Sequence, residues 1–142
     1  MVDVKKIHDI VNNLIETYET RDPFKLCIDL GAIVLRVPLV RVNGFYQRYN
    51  DQDIIYINQD LTEEEQKLVC AHELGHMILH QDINTIFLES YKFVTDKYEL
   101  EANAFAIQLL QEDLNLQAEL PLVDWSPDNV ALMRRIFFNK NN

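Results

Sequence analysis

His72, Glu73 and His76 stand in the run Ala71-His72-Glu73-Leu74-Gly75-His76, a His-Glu-x-x-His pattern. On a helix, residues four apart share a face about one turn apart. The two imidazoles then project side by side, close enough to grip one divalent ion. Glu73 lies about 100° round the helix from His72, where its carboxylate reaches a water on that ion without binding the ion itself. This is the donor set of a zinc hydrolase. The pattern is short, and helical histidines are often ordinary surface or core residues, so the surrounding chain decides its weight. Gly75 adds weight: glycine costs a helix about 1 kcal/mol relative to alanine and so asks for a packing reason.

A third ligand follows in Tyr98-Glu99-Leu100-Glu101-Ala102-Asn103-Ala104-Phe105-Ala106. Glu99, Ala102, Asn103 and Ala106 fall on one face of a helix. The two alanines let this helix approach the histidine helix closely, so that Glu99 can reach the ion. Asn103, one turn on, can support a ligand histidine from outside the coordination set. Glu101 points about 200° away from Glu99, so both cannot face the same ion, and the geometry picks Glu99. Either glutamate taken alone also fits a solvated helix face. His80, one turn beyond His76, would close the open coordination position as a fourth protein ligand and is left unassigned. His8 reads as structural.

The elements that must position these residues sit in a chain of 142 residues, 48% hydrophobic and 25% charged. Its length suits a single domain over residues 1–142 with a real core, centred on about 22–110. Net charge is -10 and the sequence pI about 4.7. No basic run appears, which argues against direct nucleic-acid binding. Cys27 and Cys70 lack metal-ligand spacing and read as buried free thiols in a reducing compartment. No apolar segment follows Lys5 and Lys6, and no run approaches 18 apolar residues, so neither secretion nor a membrane partner is expected. A cytoplasmic protein is expected.

Val4, Ile7, Ile10, Val11, Leu14 and Tyr18 repeat at helical spacing, giving an amphipathic helix within residues 1–20. Asp22-Pro23 reads as an N-cap and first helical position, and Gly31 as the stop of that short helix. Ala32 to Val37 is apolar and β-branched, a strand. Phe45 to Tyr49 and Ile54 to Ile57 read as an antiparallel hairpin about a polar turn from Asn50 to Asp53. Thr62 and Glu65 fit a capping box that starts the histidine helix. Apolar residues on two of its sides place that helix between the sheet and a further helix from about Thr95 to Gln111. Residues 81–94 read as partly helical or irregular packing. Ser126-Pro127 opens a final helix over 126–138, anchored by Trp125. The class is α+β: a small mixed or antiparallel sheet packed against an active-site helix and a third-ligand helix.

With these motifs placed, the chain resembles the ImmA/IrrE-type zinc metallo-endopeptidases. The resemblance rests on His72-Glu73-Leu74-Gly75-His76 followed by Glu99-x-x-Ala102-Asn103-x-Phe105-Ala106. It extends through Gly44-Phe45-Tyr46, Ile54-Ile55-Tyr56-Ile57-Asn58 and the capped helix, from about Asp22 to Leu110. It implies a zincin-like fold, one zinc ion per chain held by His72, His76 and Glu99, and Glu73 as catalytic base. It also implies a protein substrate, typically a DNA-binding repressor of a phage, a mobile element or a stress response. Where relatives often continue with Leu-Leu-Met-Pro, this chain reads Leu109-Leu110-Gln111-Glu112. The extra helix-turn-helix or sensor domains of some relatives are not expected here.

A side-chain donor for the oxyanion is expected among Tyr46, Tyr91 and Tyr98. The substrate is expected to lie extended along a strand edge formed by Phe45, Tyr46, Gln47 and Arg48. Two other readings compete. A regulatory binding protein of the same fold could grip a repressor without cutting it, although such a protein has no need of Glu73. A structural helical domain could carry the pattern by coincidence, and metal analysis separates that case.

Overall fold

The computed structural model describes residues 3–40, 42–81 and 92–110. The expected helix over 126–138, Trp125, and residues 82–91 of the expected packing segment 81–94, with Tyr91, lie outside the described residues; residues 92–94 of that segment belong to the helix that follows. Helix α1 spans Val4–Tyr18, with Ile7 and Val11 facing inward as its apolar stripe requires. Asp3 caps it by accepting from the Lys6 N–H at 3.0 Å. Helix α2 spans Pro23–Asp29; the Asp22 side chain accepts from the Phe24 N–H, and proline takes a position where its missing N–H costs nothing. Gly31 then adopts φ +80, a left-handed conformation that glycine reaches without strain, and turns the chain into strand β1, Ile33–Val37.

Strands β2, Gly44–Tyr49, and β3, Gln52–Asn58, form the expected hairpin. The turn is tighter than the composition suggests. Asn50 and Asp51 alone take positive φ, 50 and 62, the two-residue geometry that matches strand twist. Gln52 and Asp53 are therefore strand residues, opposite Tyr49 and Arg48. The sheet order is β1-β3-β2, with β1 parallel to β3 and β2 antiparallel to it. The link from β1 to β2 must then cross the end of β3. Asn58 secures the crossing: its N–H donates to the Asn43 carbonyl at 2.8 Å and its Nδ2 to the Leu39 carbonyl at 3.1 Å.

Helix α3, Glu63–Leu79, carries the capping box: the Glu65 N–H donates to Thr62 Oγ1, and Glu65 Oε1 accepts from the Thr62 N–H. Residues Val69 to Met77 are all buried, which a helix achieves only when it is covered on several sides. The inner sheet face (Tyr46, Ile55, Ile57) covers one side, α2 another, and helix α4, Lys92–Leu110, a third. Each fully buried Leu or Ile of this core contributes about 1.5–3 kcal/mol. Helix α4 lies between α3 and α1. Arg21 Nη1 donates to the Gln108 and Leu109 carbonyls at 3.1 and 3.2 Å, a cation on the negative end of α4.

Candidate metal centre

The packing reason for Gly75 is the approach of α4. A Cβ at Gly75 would stand 3.0 Å from Phe105 Cβ and 3.2 Å from both Cα and the carbonyl oxygen of Ala102. Glycine facing alanine brings the two helix backbones together. His72 and His76 flank Gly75 on α3, and Glu99 and Asn103 flank Ala102 on α4. The close approach therefore sets all four side chains against one another.

Glu99 Oε1 lies 2.7 Å from His76 Nε2, and Oε2 lies 3.1 Å from His72 Nε2. Among the described residues, these three bring one ligand atom each within 4.8 Å of one another. His72 and His76 are fully buried and Glu99 is 2% exposed. Asn103 Oδ1 stands 2.8 Å from His72 Nδ1; an amide oxygen only accepts, so His72 carries its proton on Nδ1. The Nε2 lone pair then points toward Glu99. His76 is arranged alike, with Nδ1 3.0 Å from His80 Nδ1. Lone pairs aimed at a carboxylate across such distances repel unless a cation lies among them.

The electrostatics agree. Burial disfavours a charged His72, but Glu99 and Glu73 outweigh it and hold its pKa above the ordinary imidazole value. At His76 burial wins, and the pKa falls to about 4. Burial would raise the Glu99 pKa, yet the facing imidazoles hold that carboxyl well below its usual range. The cluster favours one centre of positive charge. A proton on His72 meets that need, and a divalent ion meets it with both imidazoles neutral. Two imidazole nitrogens and a carboxylate oxygen are also the donors that suit zinc.

Glu73 is fully buried beside this cluster, with Oε2 3.9 Å from His72 Nε2. Strand β2 begins against it: a Cβ at Gly44 would lie 3.7 Å from Glu73 Cγ and only 2.5 Å from Val69 Cγ1. The sequence placed His72, His76, Glu99 and Asn103 together, and the structure brings them together. The sequence leaves His80 unassigned and Glu101 outside the ligand set, and does not foresee that the two meet. His80 is the C-cap residue of α3 and joins His76 to Glu101, whose Oε1 is 2.8 Å from His80 Nε2. A third histidine at the same four-residue interval was the available signal.

The expected strand-edge residues form β2, which is an outer strand of the sheet among the described residues. Phe45 stacks on Tyr56 with ring centroids 4.3 Å apart, and Gln47 Oε1 accepts from the Tyr56 hydroxyl at 3.0 Å. Arg48 donates to Asp53 at 2.9 Å. The Tyr46 hydroxyl, among the oxyanion candidates, is instead engaged inside the fold. It donates to Asp53 Oδ1 at 2.5 Å and lies 3.1 Å from the Gln81 carbonyl. Tyr98 packs its ring edge-on to His80, 4.4 Å between centroids. Cys27 and Cys70 are free, buried thiols 3.8 Å apart, and burial pushes the Cys70 pKa up, so Cys70 offers no ready thiolate. No helix among the described residues is long and apolar enough to cross a membrane.

Comparison with known proteins agrees with this geometry. Residues 27–135 match the IrrE N-terminal-like domain. The chain is 36% identical over 128 residues to the "Uncharacterized immunity region protein 2" of Bacillus phage phi105, covering 89% of this chain and 80% of that protein. It is 34% identical over 131 residues to "Metallopeptidase ImmA" of Bacillus subtilis (strain 168), covering 89% of this chain and 76% of that one. No solved structure matches. The chain belongs to the ImmA/IrrE family of metallopeptidases, and His72, His76 and Glu99 form its zincin-type metal-binding triad.

Proposed function

We propose that this chain is a zinc-dependent endopeptidase whose substrate is a DNA-binding repressor of a phage, mobile element or stress response. The observation that carries the catalytic part is the convergence of His72, His76 and Glu99, with the Glu73 carboxylate buried alongside. Zinc held by those three residues would polarise the scissile carbonyl and lower the pKa of a bound water from about 15.7 toward about 7. Glu73 accepts the proton as water attacks the peptide carbonyl and hands it to the leaving amine. Asn103 keeps the His72 proton on Nδ1, so that Nε2 stays available for the ion. The repressor substrate rests on the family resemblance, and the immunity-region name of the phage relative agrees with it.

The substrate lies extended along the edge of β2 turned away from β3, an outer edge among the described residues. In a hairpin with a two-residue turn, the pair next to the turn exchanges hydrogen bonds and every second pair does so after it. Tyr49, Gln47 and Phe45 therefore bond to β3, while the N–H and C=O groups of Arg48, Tyr46 and Gly44 point outward. Gly44 sets that edge beside Glu73. Because the Tyr46 ring is buried, Arg48 is the cleaner probe. Arg48→Pro removes an outward N–H, and Arg48→Ala controls for the lost ion pair. Cleavage lost in the proline variant alone supports the edge; equal turnover in both refutes it.

Co-expression with a candidate repressor tests the whole reading. Repressor fragments should appear and should vanish with Glu73→Gln at unchanged zinc content. If the repressor is still inactivated by Glu73→Gln, without fragments, the chain acts by binding rather than hydrolysis.

A further inference from the structure

We propose that His80 and Glu101 form a positioning relay for His76, through which a carboxylate outside the ligand set fixes that histidine's tautomer and strengthens its hold on the metal. The inference rests on the metallopeptidase reading above and deepens it. A carboxylate only accepts, so the 2.8 Å contact between His80 Nε2 and Glu101 Oε1 places the His80 proton on Nε2. Neutral His80 then presents only a lone pair at Nδ1. The 3.0 Å contact between the two Nδ1 atoms requires His76 to donate, which leaves the His76 lone pair on Nε2, facing Glu99. The chain of bonds runs one way, from the metal ligand to Glu101.

The surroundings hold this arrangement in place. The His80 side chain is 4% exposed and that of Glu101 19%. The Tyr98 ring stands against His80 at 60° between planes. His80 leaves the helical conformation, with φ -133 and ψ 45, while its N–H still bonds the His76 carbonyl. That departure swings its imidazole off the α3 face and toward α4, within reach of a glutamate on a different face from Glu99. The two ligand histidines are thus supported unequally. His72 donates to a neutral amide, Asn103, whereas His76 is tied through one imidazole to a full negative charge. A carboxylate at the end of such a link makes the ligand nitrogen a better donor to a cation.

Zinc affinity, measured on the full chain by competition with a chromophoric chelator, tests the relay. Melting of the chelator-treated protein serves as the structural control. Glu101→Gln keeps a hydrogen-bond acceptor and removes the charge. His80→Asn leaves an amide oxygen near the place of Nδ1 to accept from His76, but cuts the link to Glu101. Each should weaken zinc binding about 10-fold or more, within the roughly 10–100-fold typical of such supporting groups. The double variant should be no weaker than His80→Asn alone, because both changes cut one link. In Glu101→Gln, which keeps the side chain's size, the melting temperature without metal should stay at the wild-type value; His80→Asn also loses the ring contact with Tyr98, and its metal-free melt measures that loss separately. Affinities within about twofold of wild type in both variants overturn the relay, as does a lowered melting temperature of metal-free Glu101→Gln, which would mark a packing role. A wild-type chain that binds no zinc overturns the metallopeptidase reading, and the relay with it.

Discussion

Gly75→Ala pits two effects of opposite sign against each other, and the structure decides between them. Glycine inside a helix is less favourable than alanine by about 0.8–1 kcal/mol, so on α3 alone the substitution should stabilise. The new methyl, however, would meet Phe105 Cβ at 3.0 Å and the Ala102 backbone at 3.2 Å. Two of those three neighbours are backbone atoms, which cannot rotate away. Ordinary carbon contacts need about 3.5–4.0 Å, so α3 and α4 must part by roughly half an ångström. Overpacking of this kind costs about 1–3 kcal/mol. The net effect is a loss of up to about 2 kcal/mol, or a fall in melting temperature of several degrees. The larger consequence falls on the metal. Ligand positions in zinc sites hold to within about 0.2 Å, so moving Glu99 by half an ångström from the imidazoles should weaken binding sharply. Chelator competition reads the affinity, and a melt without metal reads the stability. A Gly75→Ala protein that is more stable by about 1 kcal/mol, with wild-type zinc affinity, would show that the helices have room and would refute the close-approach argument.

Glu99→Ala should reduce zinc affinity far more than any variant of His80 or Glu101, because it removes a ligand rather than its support; isothermal titration separates the two classes. Chelation should lower the melting temperature, by roughly 10 °C if free zinc had stood at about 100 times its dissociation constant, a stabilisation of about 2.7 kcal/mol; an unchanged melt would argue against a site shared by two helices. Burial, then the Asp53 carboxylate, push the Tyr46 pKa well above the ordinary phenol value. Its folded pKa exceeds the unfolded value of about 10, so this contribution to stability is intact below about pH 10 and is lost as pH rises from there toward the raised folded value. Denaturant melts above pH 10 should show a falling stability that flattens in Tyr46→Phe, and absorbance titration should find one tyrosine ionising late. Thr62→Ala should cost about 0.5–2 kcal/mol by removing the α3 cap while leaving zinc affinity as it was.

Much of the site was legible because its parts are local. Four-residue spacing pairs His72 with His76, and helical phase selects Glu99 over Glu101 as the ligand. Asp22-Pro23 and the Thr62–Glu65 box mark helix starts through side-chain bonds that span only two or three residues. What escaped depends on geometry between elements. The parallel pairing of β1 with β3 has no local signal, because the strand it joins lies beyond the intervening strand β2. The polar run Asn50 to Asp53 suggests a four-residue turn where two residues suffice, and that difference hides the register. With Gln52 opposite Tyr49, Arg48 faces Asp53 and Tyr46 lies diagonal to it, so the Tyr46–Asp53–Arg48 cluster follows from the correct turn. The helical phase of Glu101 points it away from the ion and gives it no partner in the sequence. The phase was right, but it could not foresee that α3 would end at His80 and send an imidazole round to meet it.

The seam between α3 and α4 is a poor place for polar side chains if stability is the only demand. His72, Glu73 and His76 are fully buried, and Glu99 and Asn103 are 2% and 1% exposed. Removing charged groups from water costs several kcal/mol each, and their mutual attraction at best balances that loss. Leucines and methionines at the same positions would pack between the same helices without the penalty. The buried polar seam therefore needs a reason outside folding, and the directions of its atoms supply one. Nε2 of both histidines and the Glu99 carboxylate converge on one point, while their remaining polar atoms are turned to Asn103 and His80. A network built for cohesion would spread its bonds among all its members. This one aims its lone pairs inward at the position a cation would take, and the energetic penalty of burying them is relieved only when that position carries positive charge.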